Sequence, residues 1–241
     1  MADILRFSAA ITEETLIASA RLLVYVYGRR PIADPGHFRL RLLHRHITIP
    51  EGQILLGTNL TEPFGFWTKP TPIPDIDLQK IYPHIISAQA TSCKSEGERR
   101  SFTLFPSEFR GGPPVSVANI DGNFFIEFTD YLWANGLENT FGLEVIQGQD
   151  GKIIEFSFNI GSLLVKEEEV KAEVREEMRG QFMMQETGWS VSVKEGTVCK
   201  TGETQCWIYP PPTGHVKIIN SKAKGVSEAI KILRNEGILA M

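Results

Sequence analysis

The chain has 241 residues, of which 42% are hydrophobic and 22% are charged, and its formal net charge is −4 at pH 7. This length suits one large domain or two small ones with a substantial core. The negative net charge gives no overall electrostatic reason to bind nucleic acid or an anionic membrane, and no apolar run approaches the roughly 18 residues of a membrane span.

The most basic region of the chain follows a predicted helix from Thr12 to Gly28. Its arginines pair readily with phosphate or carboxylate, so they are anion-site candidates, and the alternative is a surface that offsets acids elsewhere. The candidates are Arg29, Arg30, Arg39, Arg41 and Arg45. Residues 34–46 fit either a helix that begins at Asp34-Pro35 or an alternating strand at 37–42. His44 and His46 could share one face of a strand, but no third ligand is evident, so we predict no metal.

Residues 50–91 are rich in proline and glycine, and the stretch 57–75 among them predicts a long ordered loop, followed by a short helix over 77–88 that Pro83 interrupts. Phe64, Phe66 and Trp67 form an aromatic cluster in this stretch. The loop could be the lid of a pocket or the contact surface for a partner, or it could pack over a sheet edge.

The central block, residues 113–165, contains three runs that alternate between apolar and polar residues, as half-buried antiparallel strands do. They are residues 123–128, 141–146 and 153–158. Asp121-Gly122 and Asp150-Gly151 suit tight turns, so we predict a hairpin around each, with a helix over 129–136 between them. The first hairpin would pair 114–120 with 123–128, and the second would pair 141–146 with 153–158.

Three acids of this block, Glu127, Glu144 and Glu155, point outward in the predicted sheet and could meet on one face. Such a cluster could serve general acid–base chemistry or bind a cation. The alternative is a solvated face.

The C-terminal part begins with a charged helix, predicted over 166–179, whose narrow apolar stripe suits a connection between two bodies. Strands are predicted at 189–193, 205–209 and 215–219, and a helix over 226–236. We therefore predict a main body over 1–165, a connecting helix over 166–181, and a ββ(β)α module over 182–241 that packs on the body.

This last segment carries Gly188-Trp189, Trp207-Ile208-Tyr209, Pro212-Thr213-Gly214 and Ser221-Lys222 before its helix. In that order it resembles the methyl-CpG-binding domain, over about 50 of the 241 residues. The resemblance implies a small sheet that binds methylated DNA. That family reads methylated CpG through arginines on its sheet, whereas this segment has only Arg234, late in the helix.

Three cysteines, Cys93, Cys199 and Cys206, make an odd count, and no signal peptide is evident in the first thirty residues. We therefore predict a soluble cytoplasmic protein with free thiols, and a nuclear location is also compatible. If residues 200–205 form a hairpin loop, Cys199 and Cys206 would face each other within possible disulfide reach, but two reduced thiols suit a reducing compartment better.

The predicted fold is α+β, an antiparallel sheet with packed helices. No nucleotide-binding loop, serine elbow, zinc framework or haem motif is present, so no catalytic residues and no cofactor are assigned. The sequence favours an intracellular binding or interaction protein, with a protein or a small molecule as partner and a homo-oligomer possible in principle. One alternative is an enzyme acting on a small anionic or apolar molecule, with an arginine-rich wall and an aromatic lid. The other is nucleic-acid binding by the C-terminal module.

Overall fold

The computed structural model describes residues 38–44, 47–90, 102–113, 122–145, 151–180, 184–194, 197–207 and 223–240. These residues form ten strands and three α-helices, with short 3-10 turns at Ile73–Asp75, Leu78–Lys80 and Glu167–Glu169. The strands are β1 (Phe38–Leu42), β2 (Gln53–Thr61), β3 (Phe64–Pro72), β4 (Ile81–Ala90), β5 (Phe102–Gly111), β6 (Phe141–Val145), β7 (Ile153–Ser157), β8 (Ser162–Lys166), β9 (Met184–Lys194) and β10 (Thr197–Trp207). The helices are α1 (Gly122–Ala134), α2 (Ala172–Gly180) and α3 (Val226–Asn235).

The ten strands close into one barrel in the order β1-β6-β4-β5-β2-β3-β8-β7-β10-β9, and β9 pairs with β1 to complete the ring. Most neighbours are antiparallel, but β2 pairs with β5 and β10 pairs with β7 in parallel. The barrel is therefore mixed, and closure leaves none of these strands as an edge.

Strand alternation separates an apolar outer face from a polar inner face. On β1, Phe38, Leu40 and Leu42 share a core with Phe128 of α1, so these residues point outward beneath the helix. Arg39 and Arg41 alternate with them and therefore point into the barrel, yet both are at most 5% exposed. All five residues of this short strand are buried because one face lies beneath a helix and the other lies inside a closed barrel.

The three helices cover two parts of the outer surface. α1 packs over β1 and β6 through Phe128 and Leu132. α2 and α3 pack over β7 and β8, where Met178 and Leu233 join a second core. Burying each such side chain contributes about 1.5–3 kcal/mol to the stability of the fold. The main apolar cores of the described residues therefore lie between the helices and the outer face of the barrel. None of the helices in the described ranges is long and apolar enough to cross a membrane.

The predicted α+β fold with an antiparallel sheet is wrong, because the described part of the chain is mostly strand and closes into a mixed barrel. The predicted hairpin around Asp121-Gly122 is also wrong: residues 123–128 belong to helix α1, which begins at Gly122. This stretch is short and rich in phenylalanine, and a helix that covers a sheet buries such residues as well as a strand does.

The predicted hairpin around Asp150-Gly151 is wrong in its pairing. The strands flanking it exist as β6 and β7, but β6 pairs with β1 and β4, whereas β7 pairs with β8 and β10. Residues 146–150 lie outside the described residues. Strands far away in sequence satisfy the hydrogen-bonding groups of β6, whereas β7 pairs with the adjacent β8 and the distant β10, a choice that local turn residues do not encode.

The predicted long loop over 57–75 is wrong as well, because β2 and β3 form a regular hairpin there, and the predicted helix over 77–88 is wrong because β4 covers Ile81–Ala90. β9 and β10 pair with each other and insert between β1 and β7, so segments of the predicted C-terminal module complete the barrel. The predicted helix over 12–28 and the predicted strand over 215–219 lie outside the described residues.

Candidate functional site

A shallow pocket of about 190 Å³ lies at one end of the barrel. This barrel mouth is where β2 and β5 end, β3 and β7 begin, and β8 ends. We call it the mouth pocket. It is lined by Asn59, Leu60, Phe64, Gly65, Phe66, Arg110, Gly151, Ile153 and Lys166.

The mouth pocket combines two cations with two aromatic rings. The guanidinium of Arg110 stacks 3.8 Å from the centroid of the Phe66 ring, and its Nε donates a 3.0 Å hydrogen bond to Oδ1 of Asn59. Lys166 Nζ lies 5.8 Å from the centroid of the Phe64 ring. Phe66 is buried, whereas the Phe64 side chain is 56% exposed. The pocket therefore presents positive charge beside one exposed and one buried ring.

The turn that carries Phe64 is fixed by contacts to the C-terminal half of the chain. The backbone N–H of Phe64 donates to Glu169 Oε1 at 3.1 Å, and Glu62 in the same turn lies 3.3 Å from Arg234 of α3. These contacts hold the rim of the mouth pocket although the Phe64 ring itself is exposed.

A second cavity, of about 30 Å³, lies deeper inside the barrel and has charged walls. Arg41 Nη2 donates a 3.1 Å hydrogen bond to Glu155 Oε2, and His44 Nε2 lies 3.4 Å from the same oxygen. Glu108 also lines this cavity, where the hydroxyl of Thr68 donates to its Oε1 at 3.4 Å. We call this cavity the interior cavity.

A second polar contact lies between β4 and β6, where His84 Nε2 is 3.5 Å from Glu144 Oε1. Between the mouth pocket and the interior cavity lies a small apolar cluster of Phe66, Ile153 and Leu164. Phe66 and Ile153 line the mouth pocket, while Leu164 lines the interior cavity.

Burial shifts the proton affinities inside the barrel. It raises the pKa of Glu108 to about 8, an effect that Arg41 opposes and Glu155 reinforces. Burial likewise raises the pKa of the Cys206 thiol well above its usual range, with a further contribution from Glu155. Near neutral pH, Glu108 and Cys206 are therefore mainly protonated.

The two buried bases respond differently to the same environment. Burial lowers the pKa of His84 well below its usual range, and the positive charge of Arg110 lowers it further. Burial also lowers the pKa of Arg41, but Glu144 and Glu155 outweigh this effect and leave it raised. Near neutral pH, His84 is thus a neutral imidazole beside Glu144, while Arg41 is a firmly charged partner of Glu155.

The structure separates the sequence-predicted site residues. Of the anion-site candidates, Arg39 and Arg41 lie inside the barrel beside glutamates, while Arg29, Arg30 and Arg45 lie outside the described residues. Among the aromatic candidates, Phe64 and Phe66 line the mouth pocket, whereas Trp67 points outward into the core beneath α2 and α3.

Of the three acids predicted to share a face, Glu144 and Glu155 lie inside the barrel, and Glu127 lies on α1. Cys199 and Cys206 are both on β10, where they are in register with Ser192 and Gln185 of β9 and therefore do not face each other. The Pro212-Thr213-Gly214 and Ser221-Lys222 parts of the methyl-CpG-like pattern lie outside the described residues.

Sequence reasoning missed Arg110, Lys166 and Glu108. Glu108 and Arg110 alternate on β5, which is a usable signal, but Pro106 and the glycines after Arg110 interrupt the strand pattern on either side of them. The predicted helix over 166–179 includes Lys166, whereas this residue is the last one of β8.

Comparison with models of protein families finds no match, and neither the curated proteins nor the solved structures match this chain.

Proposed function

We propose that this protein binds a small organic anion that carries one apolar ring, and that the mouth pocket holds it. One observation carries this proposal: Arg110 and Lys166 face a pocket with two phenylalanine rings and no acidic lining residue among those described. A carboxylate or phosphate group would contact the cations, and the apolar part would lie against Phe64. This proposal specifies the small-molecule partner expected from the sequence. A cytoplasmic location remains part of it, because the odd cysteine count suits a reducing compartment.

The position of Arg110 supports anion binding. Its guanidinium is fixed from two sides, by stacking on Phe66 and by the hydrogen bond to Asn59. Fixing a cation before the ligand arrives lowers the entropy lost on binding. A guanidinium also offers several N–H groups in one plane, which matches the oxygens of a carboxylate or phosphate.

The volume of the mouth pocket limits the size of the ligand. A cavity of about 150 Å³ can hold benzene. The mouth pocket has about 190 Å³ and opens beside the exposed ring of Phe64, so a single-ring anion fits it. Larger ligands would extend into solvent past the rim.

The chemistry of the lining favours binding over catalysis. No histidine, cysteine, serine, aspartate or glutamate occurs among the described residues that line the mouth pocket. Among the described lining residues, the amine of Lys166 has no histidine, cysteine or carboxyl group beside it to act as a second acid or base. We therefore rank the enzyme alternative below a binding protein.

The experiment uses benzoate and phenyl phosphate as probes and benzyl alcohol as their uncharged counterpart. Isothermal titration and amide chemical shifts of the full chain should show binding of both anions and weaker binding of the alcohol. Arg110→Gln and Lys166→Gln should each weaken benzoate binding about tenfold or more, since hydrogen bonds to charged groups contribute about 1.5–3 kcal/mol.

The matched control is Lys69→Gln, which removes an exposed lysine from β3 outside the pocket lining. It should leave benzoate binding unchanged. The proposal fails if neither anion perturbs the pocket residues, if benzyl alcohol binds as tightly as benzoate, or if folded Arg110→Gln keeps full affinity.

A further inference from the structure

We propose that His44, Glu155 and Cys206 form a binding site for one divalent transition metal ion inside the barrel, and that zinc is the ion that fits it best. The three residues come from distant parts of the chain: His44 follows β1, Glu155 lies on β7 and Cys206 lies on β10. The site is separate from the mouth pocket and does not depend on the function proposed for it.

The distances suit a single ion. One potential ligand atom from each residue lies within 4.8 Å of the other two. Zinc bonds of about 2.0–2.3 Å in tetrahedral geometry place the ligand atoms about 3.5 Å apart. His44 Nε2 and Glu155 Oε2 are already 3.4 Å apart, so metal binding requires the widest pair to close by about 1 Å.

The hydrogen bond on the other side of the imidazole indicates which nitrogen would bind the ion. His44 Nδ1 lies 3.1 Å from the carbonyl oxygen of Leu42. A carbonyl only accepts hydrogen bonds, so Nδ1 carries a proton, and Nε2 is the nitrogen left to bind the ion. Nε2 lies on the side of the ring that faces Glu155, and the nearby sulfur of Cys206 supplies a third ligand.

Two of the proposed ligands also have a partner behind them, as metal ligands usually do. The Leu42 carbonyl orients the His44 ring. Arg41 donates a hydrogen bond to Glu155 Oε2, the oxygen that faces His44 Nε2, and so fixes the orientation of the carboxylate. Such partners fix the ligand orientations before the metal arrives.

The ligand types and the neighbouring space select the ion. A thiolate with an imidazole favours zinc over magnesium or calcium, which prefer oxygen ligands. The interior cavity borders His44 and Glu155, and its volume of about 30 Å³ has room for a water molecule as the fourth ligand. Three protein ligands with one water is the arrangement of open zinc sites.

Metal binding also changes the charge of the site itself. On metal binding the Cys206 thiol loses its proton to solvent and binds as thiolate, so the ion replaces that proton.

The test titrates the full chain, first stripped with a chelator under reducing conditions, with cobalt(II) as a spectroscopic substitute for zinc. One equivalent should produce a thiolate-to-cobalt charge-transfer band and the visible bands of tetrahedral cobalt, and zinc should displace both. Cys206→Ala and His44→Gln should weaken cobalt binding at least about 100-fold, because even partners behind the ligands contribute 10–100-fold.

The matched control is Cys199→Ala, which removes a cysteine from the same strand and should leave the charge-transfer band intact. X-ray absorption of the zinc-loaded wild type needs no variant and should show one sulfur in the first coordination shell. Absence of the charge-transfer band, absence of sulfur around zinc, or equal loss of binding in Cys199→Ala and Cys206→Ala would each overturn the site. If Cys206→Ala does not fold, the nearly isosteric Cys206→Ser replaces it in this comparison.

Discussion

Replacing the buried carboxyl Glu108 with glutamine tests the electrostatics of the barrel interior. Glu108 is 9% exposed, and its Oε1 accepts a hydrogen bond from Thr68. Burial raises its pKa to about 8, so the folded protein keeps this group protonated near neutral pH. Glutamine has nearly the same shape and is uncharged at every pH, so Glu108→Gln removes the titration and leaves the packing nearly unchanged.

The direction of the effect follows from proton binding by the folded and unfolded chains. The pKa of Glu108 rises from 4.5 to about 8 on folding, so between these values the folded state binds more protons. The free energy of unfolding of the wild type must therefore fall as pH rises through this window. One pKa unit corresponds to about 1.4 kcal/mol, so between about pH 5 and about pH 8 the wild type should lose about 3 kcal/mol relative to Glu108→Gln.

The assay is urea unfolding of both proteins at a series of pH values, analysed as the difference in the free energy of unfolding. Subtracting the two curves cancels the contribution of every other group, as long as that group titrates in the same way in both proteins. The exposed Glu168, changed to glutamine, is the matched control and should give a difference that barely varies with pH. A Glu108→Gln difference that stays flat across this window would refute a buried, protonated Glu108.

Three further predictions concern the barrel itself. Phe156→Ala should destabilise the protein by about 3–5 kcal/mol in urea unfolding, because the ring is 1% exposed in the core beneath α2 and α3; an unchanged unfolding midpoint would contradict that burial. Gly65→Ala should disrupt β3–β8 pairing, because an added Cβ would lie 2.0 Å from the Leu164 carbonyl oxygen. At Gly151 an added Cβ would have no atom within 4 Å, so the control Gly151→Ala should unfold like the wild type. Deleting residues 182–241 should make the remainder insoluble, because β9 and β10 would no longer join β1 to β7; a well-folded remainder by amide spectra would show instead that the predicted module is separable.

The sequence predicts individual strands well where alternation is long enough to read. The predicted strand over 153–158 corresponds to β7, and one of the two interpretations of 34–46 corresponds to β1. The strand predicted directly after Gly122 is wrong because both a helical and a strand periodicity fit these residues. Phe125, Phe128 and Leu132 lie three and four residues apart, which is helical spacing, while Phe128 also alternates with Glu127 as in a strand.

The prediction for 57–75 is wrong because glycine and proline are also signals for a loop. Gly65 lies inside β3, where its missing Cβ permits the close approach of β8. Here glycine marks contact between neighbouring backbones and not the end of a strand. A single sequence does not distinguish these two roles, since the strand that approaches lies about 100 residues away.

The candidate sites could not be predicted from the sequence, for a related reason. Alternation in β1 correctly places Arg39 and Arg41 on one face, but only barrel closure turns that face inward, toward Glu144 and Glu155. The ligand set of His44, Glu155 and Cys206 likewise depends on β7 pairing with β10 in parallel. Their spacing along the chain resembles no metal motif, because the barrel brings together residues that lie far apart in sequence.

The apolar cluster of Phe66, Ile153 and Leu164 gives the two proposals a common test. It lies between the cationic mouth pocket and the charged interior cavity. If it separates them, Arg110→Gln should lose benzoate binding yet keep the cobalt charge-transfer band, and Cys206→Ala should lose the band yet still bind benzoate. Loss of both by either folded variant would mean that the two sites form one connected cavity, and the ligand at the mouth would then be a candidate for contact with the metal.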